Sequence, residues 1–348
     1  MRPNKKVTIK DVAKEAGVST QTISRVINNR HDVSPETRAH VQKIINDLGY
    51  SPNVIARSLS RGRSNTLGIV GYGLEYFGSF SVLSGIENKA NELGFSLLLS
   101  LLDRIEPDHV EKSFNELLSH QVDGIIWAVR WQVNSFNWLG PKFEELTVPL
   151  VFLNKSQSRN DVIVAMDNRL GGRLATEHLL EQGYRRIGII TGPTDWWEAK
   201  EREAGWRDAM EQTDIKDLEK LKVTGNWWAA SGDVGLHTLY ARSPKIDAVF
   251  ACNDQMALGA MQAARRLNLK IPDDLAIVGF DDIPEAAYFF PSLTTVKQDV
   301  KSLGALAVEQ ISKIILAHQN GENFNSEISW VPPSLIVRQS SIMNNQSN

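Results

Sequence analysis

The chain has 348 residues, 42% of them hydrophobic and 23% charged, which is the balance of a folded globular protein. The net charge of −3 conceals an asymmetry, because residues 1–64 carry twelve Lys and Arg against five Asp and Glu, whereas the remainder carries 26 against 36. A basic N-terminal segment on an acidic body indicates that only the segment meets a polyanion, although a basic solvated tail would give the same counts. The single cysteine, Cys252, excludes an intrachain disulfide and a cysteine-based metal site.

The sequence also argues against a membrane location. The N-terminal residues include no apolar stretch that resembles a signal peptide. No window approaches the length of apolar sequence that spans a bilayer. We therefore expect a cytoplasmic protein with no membrane partner.

The first 28 residues predict two short helices joined by a tight turn, which is a helix-turn-helix unit. Thr8 and Ser19 are suited to cap the two helices, and Gly17 lies in the turn between them. The second helix, residues 20–28, would bury an apolar face that includes Ile23 and Val26. Its opposite face is polar and carries four side chains of types that read base edges in the DNA major groove, although an ordinary solvated helix face would look the same: Thr20, Gln21, Ser24 and Arg25.

A third helix is predicted to begin at Ser34 and Pro35 and to end at Gly49. Residues 50–59 could form a further short helix, and a polar linker follows. From residue 66 onward, short apolar runs alternate with amphipathic helical stretches, for example residues 168–182, which predicts parallel sheets covered on both faces. The predicted strands are too many for one small domain, so we expect an α/β body of two lobes: 66–73, 95–102, 124–129, 149–154, 162–167, 186–192, 248–254 and 275–282.

The motifs of the common enzyme classes are missing from this sequence. The pair Gly71 and Gly73 follows a predicted strand, as in a dinucleotide fingerprint, but Tyr76 occupies the place of the third glycine. The seven histidines do not have the spacing of metal ligands, and no nucleophile elbow is present. We expect neither catalysis nor a cofactor or metal.

Four segments of the N-terminal region, in order and at matching spacing, resemble the LacI/GalR family of repressors: Val7–Ala13, Val18–Asn28, Gly49–Asn53 and Ala56–Leu59. The resemblance implies that Thr20, Gln21 and Arg25 read the major groove of operator DNA. It also implies that residues 53–60 form a hinge helix in the minor groove, with Asn53 and Ala56 at the contact. The leucine at Leu59 would wedge into a base step and kink the duplex. In the alternative interpretation, Leu59 packs the linker onto the body.

The resemblance extends over the body, and so over nearly the whole chain. It implies a fold like a periplasmic sugar-binding protein, with a ligand between an N-lobe of residues 65–165 plus 296–325 and a C-lobe of 166–295 plus 326–340, followed by a disordered tail at 341–348. The body segments that carry the resemblance are these: Thr191–Pro193, Arg202 with Gly205 and Trp206, Asn253–Gly259, Val278–Asp282 and Leu293–Asp299.

By this resemblance, Arg202, Asn253 and Asp281 bond the hydroxyl groups of the ligand. Their chemistry suits the task, because arginine donates a fork of hydrogen bonds, aspartate accepts from paired hydroxyls and asparagine does both. Each follows a predicted strand or lies in a helix near one, where open α/β sheets bind ligands. The neighbouring Asp254 and Asp282 could instead cap the helix and the turn that follow them.

Several tryptophans fall in loops or at strand ends, where a purely structural role is less expected. Trp127, Trp196 and Trp227 could stack on the apolar face of a sugar ring. A purine or another planar metabolite would also stack there, so both ligand classes stay open. Asn154 and Tyr76, in N-lobe loops, are further pocket candidates, whereas Trp206 falls in a helical apolar stripe and is expected in the core.

Together these features predict a DNA-binding regulator, and more specifically a repressor, whose affinity for a pseudo-palindromic operator is controlled by a small ligand. One head offers too few contacts for selective binding, so we expect a homodimer, and the C-terminal residues lack the leucine heptads of a tetramer. A solute-binding protein would share only the body with this chain, and a nucleoid-type DNA-binding protein would share only the head. Each leaves the other half of the chain unexplained.

Overall fold

The computed structural model describes residues 7–27, 30–50, 63–130, 138–155, 161–215, 217–322, 324 and 326–343. The chain divides into two compact units, Met1–Asn65 and Thr66–Asn348, within one residue of the predicted boundary at residue 64. The predicted hinge helix at 53–60 and the predicted end of the second helix at Asn28 lie outside the described residues.

The N-terminal unit has three helices, α1 (Ile9–Ala16), α2 (Thr20–Ile27) and α3 (Pro35–Asp47). Thr8 caps α1 as predicted, because its amide donates to Asp11 Oδ2 over 2.9 Å while its hydroxyl accepts from the Asp11 amide. Gly17 ends α1 in the left-handed conformation, with φ 66°. The three helices bury a shared core of small and branched side chains: Val12, Ala13, Ala16, Ile23, Val26, Val41, Ile44 and Ile45.

The body is built on two six-stranded sheets. The first has the strand order β11-β5-β4-β3-β1-β2 and the second β12-β10-β9-β8-β6-β7, and every pair is parallel except β10 with β12. All eight predicted strands are present, and four further strands were missed: the edge strands 222–224, 327–331 and 334–336 and the inner strand 294–297. The strands are β1 (Thr66–Gly71), β2 (Ser96–Leu101), β3 (Gly124–Ala128), β4 (Leu150–Leu153), β5 (Val162–Met166), β6 (Ile187–Thr191), β7 (Lys222–Thr224), β8 (Ala248–Ala251), β9 (Ala276–Asp281), β10 (Thr294–Lys297), β11 (Glu327–Val331) and β12 (Ser334–Ile336).

Helices cover both faces of each sheet, so the lobes are three-layered. The body helices are α4 (Ser79–Glu92), α5 (Pro107–Ser119), α6 (Leu139–Glu144), α7 (Asn168–Glu181), α8 (Trp197–Met210), α9 (Ala229–Arg242), α10 (Asp254–Arg266) and α11 (Val300–Gln319). The predicted core residue Trp206 is fully buried on α8, and Cys252 is fully buried just after β8.

The lobe boundaries differ from the predicted ones in two places. Residues 296 and 297 were assigned to the N-lobe but belong to β10, which pairs with β9 in the second sheet. Residues 327–331 were assigned to the C-lobe but form β11, which pairs with β5 in the first sheet. The chain therefore passes between the lobes three times, because β11 and β12 are consecutive strands that lie in different sheets.

The predicted disordered tail at 341–348 begins too early. Ser341 is fully buried, and its hydroxyl lies 2.7 Å from His178 Nε2 and donates to Thr294 Oγ1 over 2.7 Å. These hydrogen bonds hold the described end of the chain against the second lobe. The pattern of small polar residues there gave no sign of this burial.

In each lobe, paired helices touch through their backbones. On α7 and α8, a Cβ placed on Gly205 would overlap the carbonyl oxygen of Arg169, and one on Gly172 would overlap that of Arg202. The pairs α4 with α11 and α9 with α10 have the same reciprocal arrangement, through these residues: Gly85 with Gly304, and Gly232 with Gly259.

We expect Gly205→Ala to lower the free energy of unfolding by about 1 to 3 kcal/mol, because the added methyl group must push α7 and α8 apart. The control is Gly140→Ala on α6, where the new Cβ meets nothing within 4 Å. That change should be neutral or stabilise by about 0.5 to 1 kcal/mol, as alanine is the better helix former. Denaturant unfolding measures both, and equal effects of the two changes would contradict the close helix contact.

Candidate DNA-binding helix and ligand cleft

The polar face of α2 is open to solvent in the N-terminal unit. Thr20, Gln21 and Arg25 are exposed, and Ser24 is half-buried. Arg25 Nε lies 3.5 Å from Asp32, at an exposed position where an ion pair adds little stability and can be exchanged for another partner. Three of the four predicted major-groove side chains thus reach into solvent, whereas Asn53, Ala56 and Leu59 lie outside the described residues.

In the body, seven of the eight predicted ligand residues surround one cleft at the carboxyl ends of the parallel strands, between the two lobes. Open α/β sheets bind ligands at this edge, because loops from several strands converge there. The seven residues are Tyr76, Asn154, Trp196, Arg202, Trp227, Asn253 and Asp281.

Arg202 is almost completely buried on α8, one side of the cleft. Its Nε donates to Asn168 Oδ1 over 2.8 Å, and its Nη1 donates to the carbonyl oxygen of Cys252. The guanidinium carbon lies 3.8 Å from the centre of the Phe280 ring. Burial lowers the pKa of Arg202, and the nearby Asp281 opposes that shift. A charge desolvated to this degree needs its partners, which fix the guanidinium in one position.

Asp281 ends β9 with its carboxylate facing Arg202. The distance from Asp281 Oδ1 to Arg202 Nη1 is 3.7 Å, and Gln298 Nε2 donates to the same oxygen over 2.5 Å. Burial raises the pKa of Asp281 to about 6, although Arg202 pulls the pKa down. Its φ of 118° is one that L residues rarely adopt, so surrounding contacts must hold the turn.

Asp254 supplies those contacts. It was expected as a possible helix cap, but the cap of α10 is Asn253, whose Oδ1 accepts from the Met256 amide over 2.9 Å. The Asp254 carboxylate instead accepts from the Ile283 amide over 2.9 Å and from Thr295 Oγ1 over 2.6 Å. It therefore fastens the turn after Asp281 to α10 and to β10.

Three other predicted residues have structural contacts of their own. The Asn253 amide donates to the carbonyl oxygen of Trp227 and to Gln255 Oε1, each over 2.9 Å, so both N–H groups are occupied. Asp282, the other suggested cap, accepts from Arg338 Nη2 over 2.7 Å. Asn154 Oδ1 accepts from the Met166 amide over 3.0 Å, and the residue lines the cleft.

An aromatic wall lines the cleft, and we use this name for Tyr76, Trp196 and Trp227. The ring centres of Tyr76 and Trp196 are 5.0 Å apart at 72°, and those of Trp196 and Trp227 are 5.8 Å apart. Trp227 can lie flat there only because Gly192 has no side chain, since a Cβ at that position would overlap the indole ring. The wall offers apolar faces next to the polar groups of Arg202 and Asp281.

The prediction for Trp127 is wrong. Its side chain is fully buried, with its ring centre 5.7 Å from Phe114 and 5.2 Å from Phe143. Successive residues of a strand face opposite sides of the sheet, so Ala128 reaches the cleft and Trp127 packs behind it.

Three charged or amide residues of the cleft escaped prediction, as did the hydroxyl-bearing Tyr72 and Ser79. Gln298 lies within a segment that carries the family resemblance and could have been found there. Arg130 directly follows the predicted strand 124–129 and could have been found from that position, whereas Glu198 resembles an ordinary acidic residue in a first helical turn. The described residues include no group of three or more His, Cys, Asp or Glu that could hold a metal ion.

Matches to known proteins agree with this geometry. Residues 8–53 match the bacterial regulatory proteins of the lacI family, and residues 176–341 match the periplasmic binding protein-like domain. The ribose operon repressor of Halalkalibacterium halodurans is 34% identical over 95% of this chain and 96% of its own length. The transcriptional repressor PurR of Edwardsiella ictaluri is also 34% identical, over 96% of each chain.

Among solved structures, the lac repressor dimer bound to operator and the anti-inducer ONPF superposes with a TM-score of 0.83, at 30% identity over 97% of this chain and 100% of that one. A helix-turn-helix unit before a binding-protein-like body defines a DNA-binding transcriptional repressor with a ligand-binding domain. The chain belongs to the LacI family, and its relatives are repressors rather than enzymes. In the described part of the chain, no helix combines the length and apolar character needed to cross a membrane.

The buried Asp254 gives the stability of the body a defined pH dependence. Burial raises the pKa of Asp254 to about 8 from its ordinary 3.8, and Asp281 adds to the rise. The folded protein therefore binds this proton more tightly than the unfolded chain, so the contribution to stability is complete at low pH and is lost as the pH rises towards 8. We expect Asp254→Asn to flatten the fall in unfolding free energy between about pH 5 and 8.

Denaturant unfolding across this pH range measures the effect. Asp214→Asn, at an exposed position after α8, is the control and should keep the wild-type profile. A profile of Asp254→Asn that is superimposable on that of the wild type would contradict the raised pKa.

Proposed function

We propose that this repressor binds a pseudo-palindromic operator as a homodimer in the cytoplasm and that a small ligand, a sugar, controls its DNA affinity from the cleft between the lobes. One observation carries the proposal: a buried, fixed Arg202 and Asp281 lie beside an aromatic wall at the carboxyl ends of both sheets. This combination pairs hydrogen-bond donors and acceptors with flat apolar faces. A sugar ring needs both, because its edges carry hydroxyl groups and its faces carry C–H groups.

A purine is the second candidate. The aromatic wall would stack on a planar base as well, and PurR is among the relatives at 34% identity. The sugar is favoured because Asp281 and Asn154 line the cleft with carboxylate and amide groups, and because the relatives include the ribose operon repressor, at 34% identity, and the lactose operon repressor, at 30%. Ligand titration separates the two classes.

The proposed switch is a shift between two arrangements of the lobes. A ligand that contacts both lobes favours the arrangement in which both contacts are made, and it can shift the equilibrium only by its difference in affinity for the two states. In the proposed dimer, the change would alter the spacing of the two heads and of hinge residues 53–60. Release of DNA by the ligand is the commoner arrangement for sugar-responsive members of this family.

The ligand prediction is tested by tryptophan fluorescence of the full chain during titration with monosaccharides, disaccharides and hypoxanthine. A saturable change with a sugar is expected, because Trp196 and Trp227 line the cleft. Asp281→Ala should remove the response, and Asp214→Ala, exposed outside the cleft, should retain it. Saturation with hypoxanthine and none with any sugar would replace the sugar with a purine and keep the fold.

The DNA contacts are tested on duplexes selected from a randomised library by the wild-type protein. Gln21→Ala should cost about 1 to 3 kcal/mol and relax the preference at one base pair in each half-site. Leu59→Ala should weaken binding to the selected duplex without changing the preference at the base pairs read in the major groove, because the wedge acts through the bend. Gln42→Ala on α3 is the matched control and should leave both quantities unchanged. A palindrome missing from the selected sequences would count against the dimer.

A further inference from the structure

Glu198 is a buried carboxylate without a settled partner. It lies in the first turn of α8, lines the cleft, and is only 2% exposed. Neither of its carboxylate oxygens accepts a hydrogen bond from another of the described residues. Buried charged groups are nearly always paired, since a desolvated charge without hydrogen bonds destabilises the folded state. An unsatisfied carboxylate at the wall of a cleft therefore indicates a place for hydrogen-bond donors from a ligand.

Arg130 faces Glu198 from the other lobe. Its Nη1 lies 3.7 Å from Glu198 Oε1, which is an ion-pair distance and longer than a hydrogen bond. Its Nη2 donates to the carbonyl oxygen of Phe77 over 2.8 Å, and its guanidinium carbon lies 5.4 Å from the centre of the Trp196 ring. The position of Arg130 is thus fixed by the protein, while the space next to Glu198 is left for a third group.

The cleft contains two such pairs, arranged along the aromatic wall. Arg130 and Glu198 lie beside Trp196, whereas Arg202 and Asp281 lie beside Trp227, with the Arg202 guanidinium 5.4 Å from that ring. The two tryptophan ring centres are 5.8 Å apart. A ligand stacked on the wall would meet one carboxylate and one guanidinium at each of two positions.

The charges of the cleft balance. Among the described residues that line it, the charged ones are two arginines and two carboxylates, and no lysine or histidine is included. A phosphate or carboxylate on the ligand would lack a surplus cation and would face two acidic groups. An amine at Glu198 would be repelled by the fixed guanidinium of Arg130. Hydroxyl groups carry no net charge and can both donate and accept, so they suit both pairs.

We propose that Glu198 and Arg130 form a second polar subsite that binds neighbouring hydroxyl groups, and that the cleft therefore takes a neutral sugar rather than a phosphorylated, acidic or amino sugar. This inference rests on the proposed function, because it assigns the class of sugar bound at that cleft. The ligand's hydroxyls donate to the Glu198 carboxylate and accept from Arg130. Burial raises the pKa of Glu198 in the ligand-free cleft, and Arg130 lowers it.

The test compares neutral sugars with their charged counterparts on the full chain. Fluorescence or calorimetric titration would use glucose, ribose, cellobiose and lactose, together with glucose 6-phosphate, glucuronate, glucosamine and hypoxanthine. We expect the tightest binder to be a neutral sugar and its charged counterparts to bind at least about tenfold more weakly. A charged sugar as the tightest binder would overturn the assignment.

The subsite itself is tested by Glu198→Gln, which keeps the shape and removes the charge. With the tightest-binding sugar of the panel, affinity should fall about tenfold or more, since hydrogen bonds to a charged group are the stronger ones. Glu201→Gln, half-buried on the same helix and outside the cleft lining, should bind as the wild type does. The melting temperature of ligand-free Glu198→Gln should equal or exceed that of the wild type, because a desolvated charge has been removed.

The outcomes of these experiments distinguish failure of the second subsite from failure of the proposed function. Wild-type affinity of Glu198→Gln for a sugar that Asp281→Ala no longer binds would overturn the subsite and leave the proposed function intact. A lower melting temperature of Glu198→Gln together with its lower affinity would show that Glu198 has a structural role, and would overturn its assignment to the subsite. Binding of hypoxanthine alone would overturn the sugar ligand and, with it, the second subsite.

Discussion

The contacts of the buried Arg202 guanidinium are the interactions on which the cleft depends. The guanidinium reaches its position because α7 and α8 touch backbone to backbone at Gly172 and Gly205, so the arginine starts close to the sheet. It then joins α7, through Asn168, to the end of β8, through the carbonyl oxygen of Cys252. The positive charge of Arg202 is balanced by the carboxylate of Asp281. The strained turn that carries Asp281 is in turn held by Asp254. The polar floor of the cleft is therefore a single linked set of contacts.

Strands were predicted best from the sequence where all of their residues are buried. Strands such as β8, in which all four residues are buried, read as continuous apolar runs and were located within three residues. The edge strands β11 and β12 gave no such signal, because their residues are only partly buried and their pairing depends on strands far away in the chain. This is why the predicted lobe boundaries were wrong at the third crossing.

The site was predictable where a residue's chemistry coincided with a recognisable segment, as for Arg202 and Asp281. Trp127 was misplaced because the sequence shows that a tryptophan lies near a strand end but not which face of the sheet it takes. Its neighbour Ala128 reaches the cleft instead. Glu198 could not be found, because an acidic residue in a first helical turn is ordinary until its burial is known. The family resemblance also assigned Asn253 to the ligand; the residue lines the cleft, and its amide donates to Trp227 and Gln255.

One feature of α8 bears on how the lobes can move. Trp196, Trp197 and Glu198 are consecutive, yet Trp197 is buried in a core cluster of the first lobe and its ring stacks on Trp330 of β11, with centres 6.5 Å apart. Helix α8 of the second lobe is thereby anchored in the core of the first lobe, next to the side chains that line the cleft. A wide separation of the lobes would expose this indole to water, at a cost of about 1.5 to 3 kcal/mol or more for a side chain of this size. Burial of this tryptophan therefore opposes wide separation of the lobes and favours small rotations that keep the indole covered.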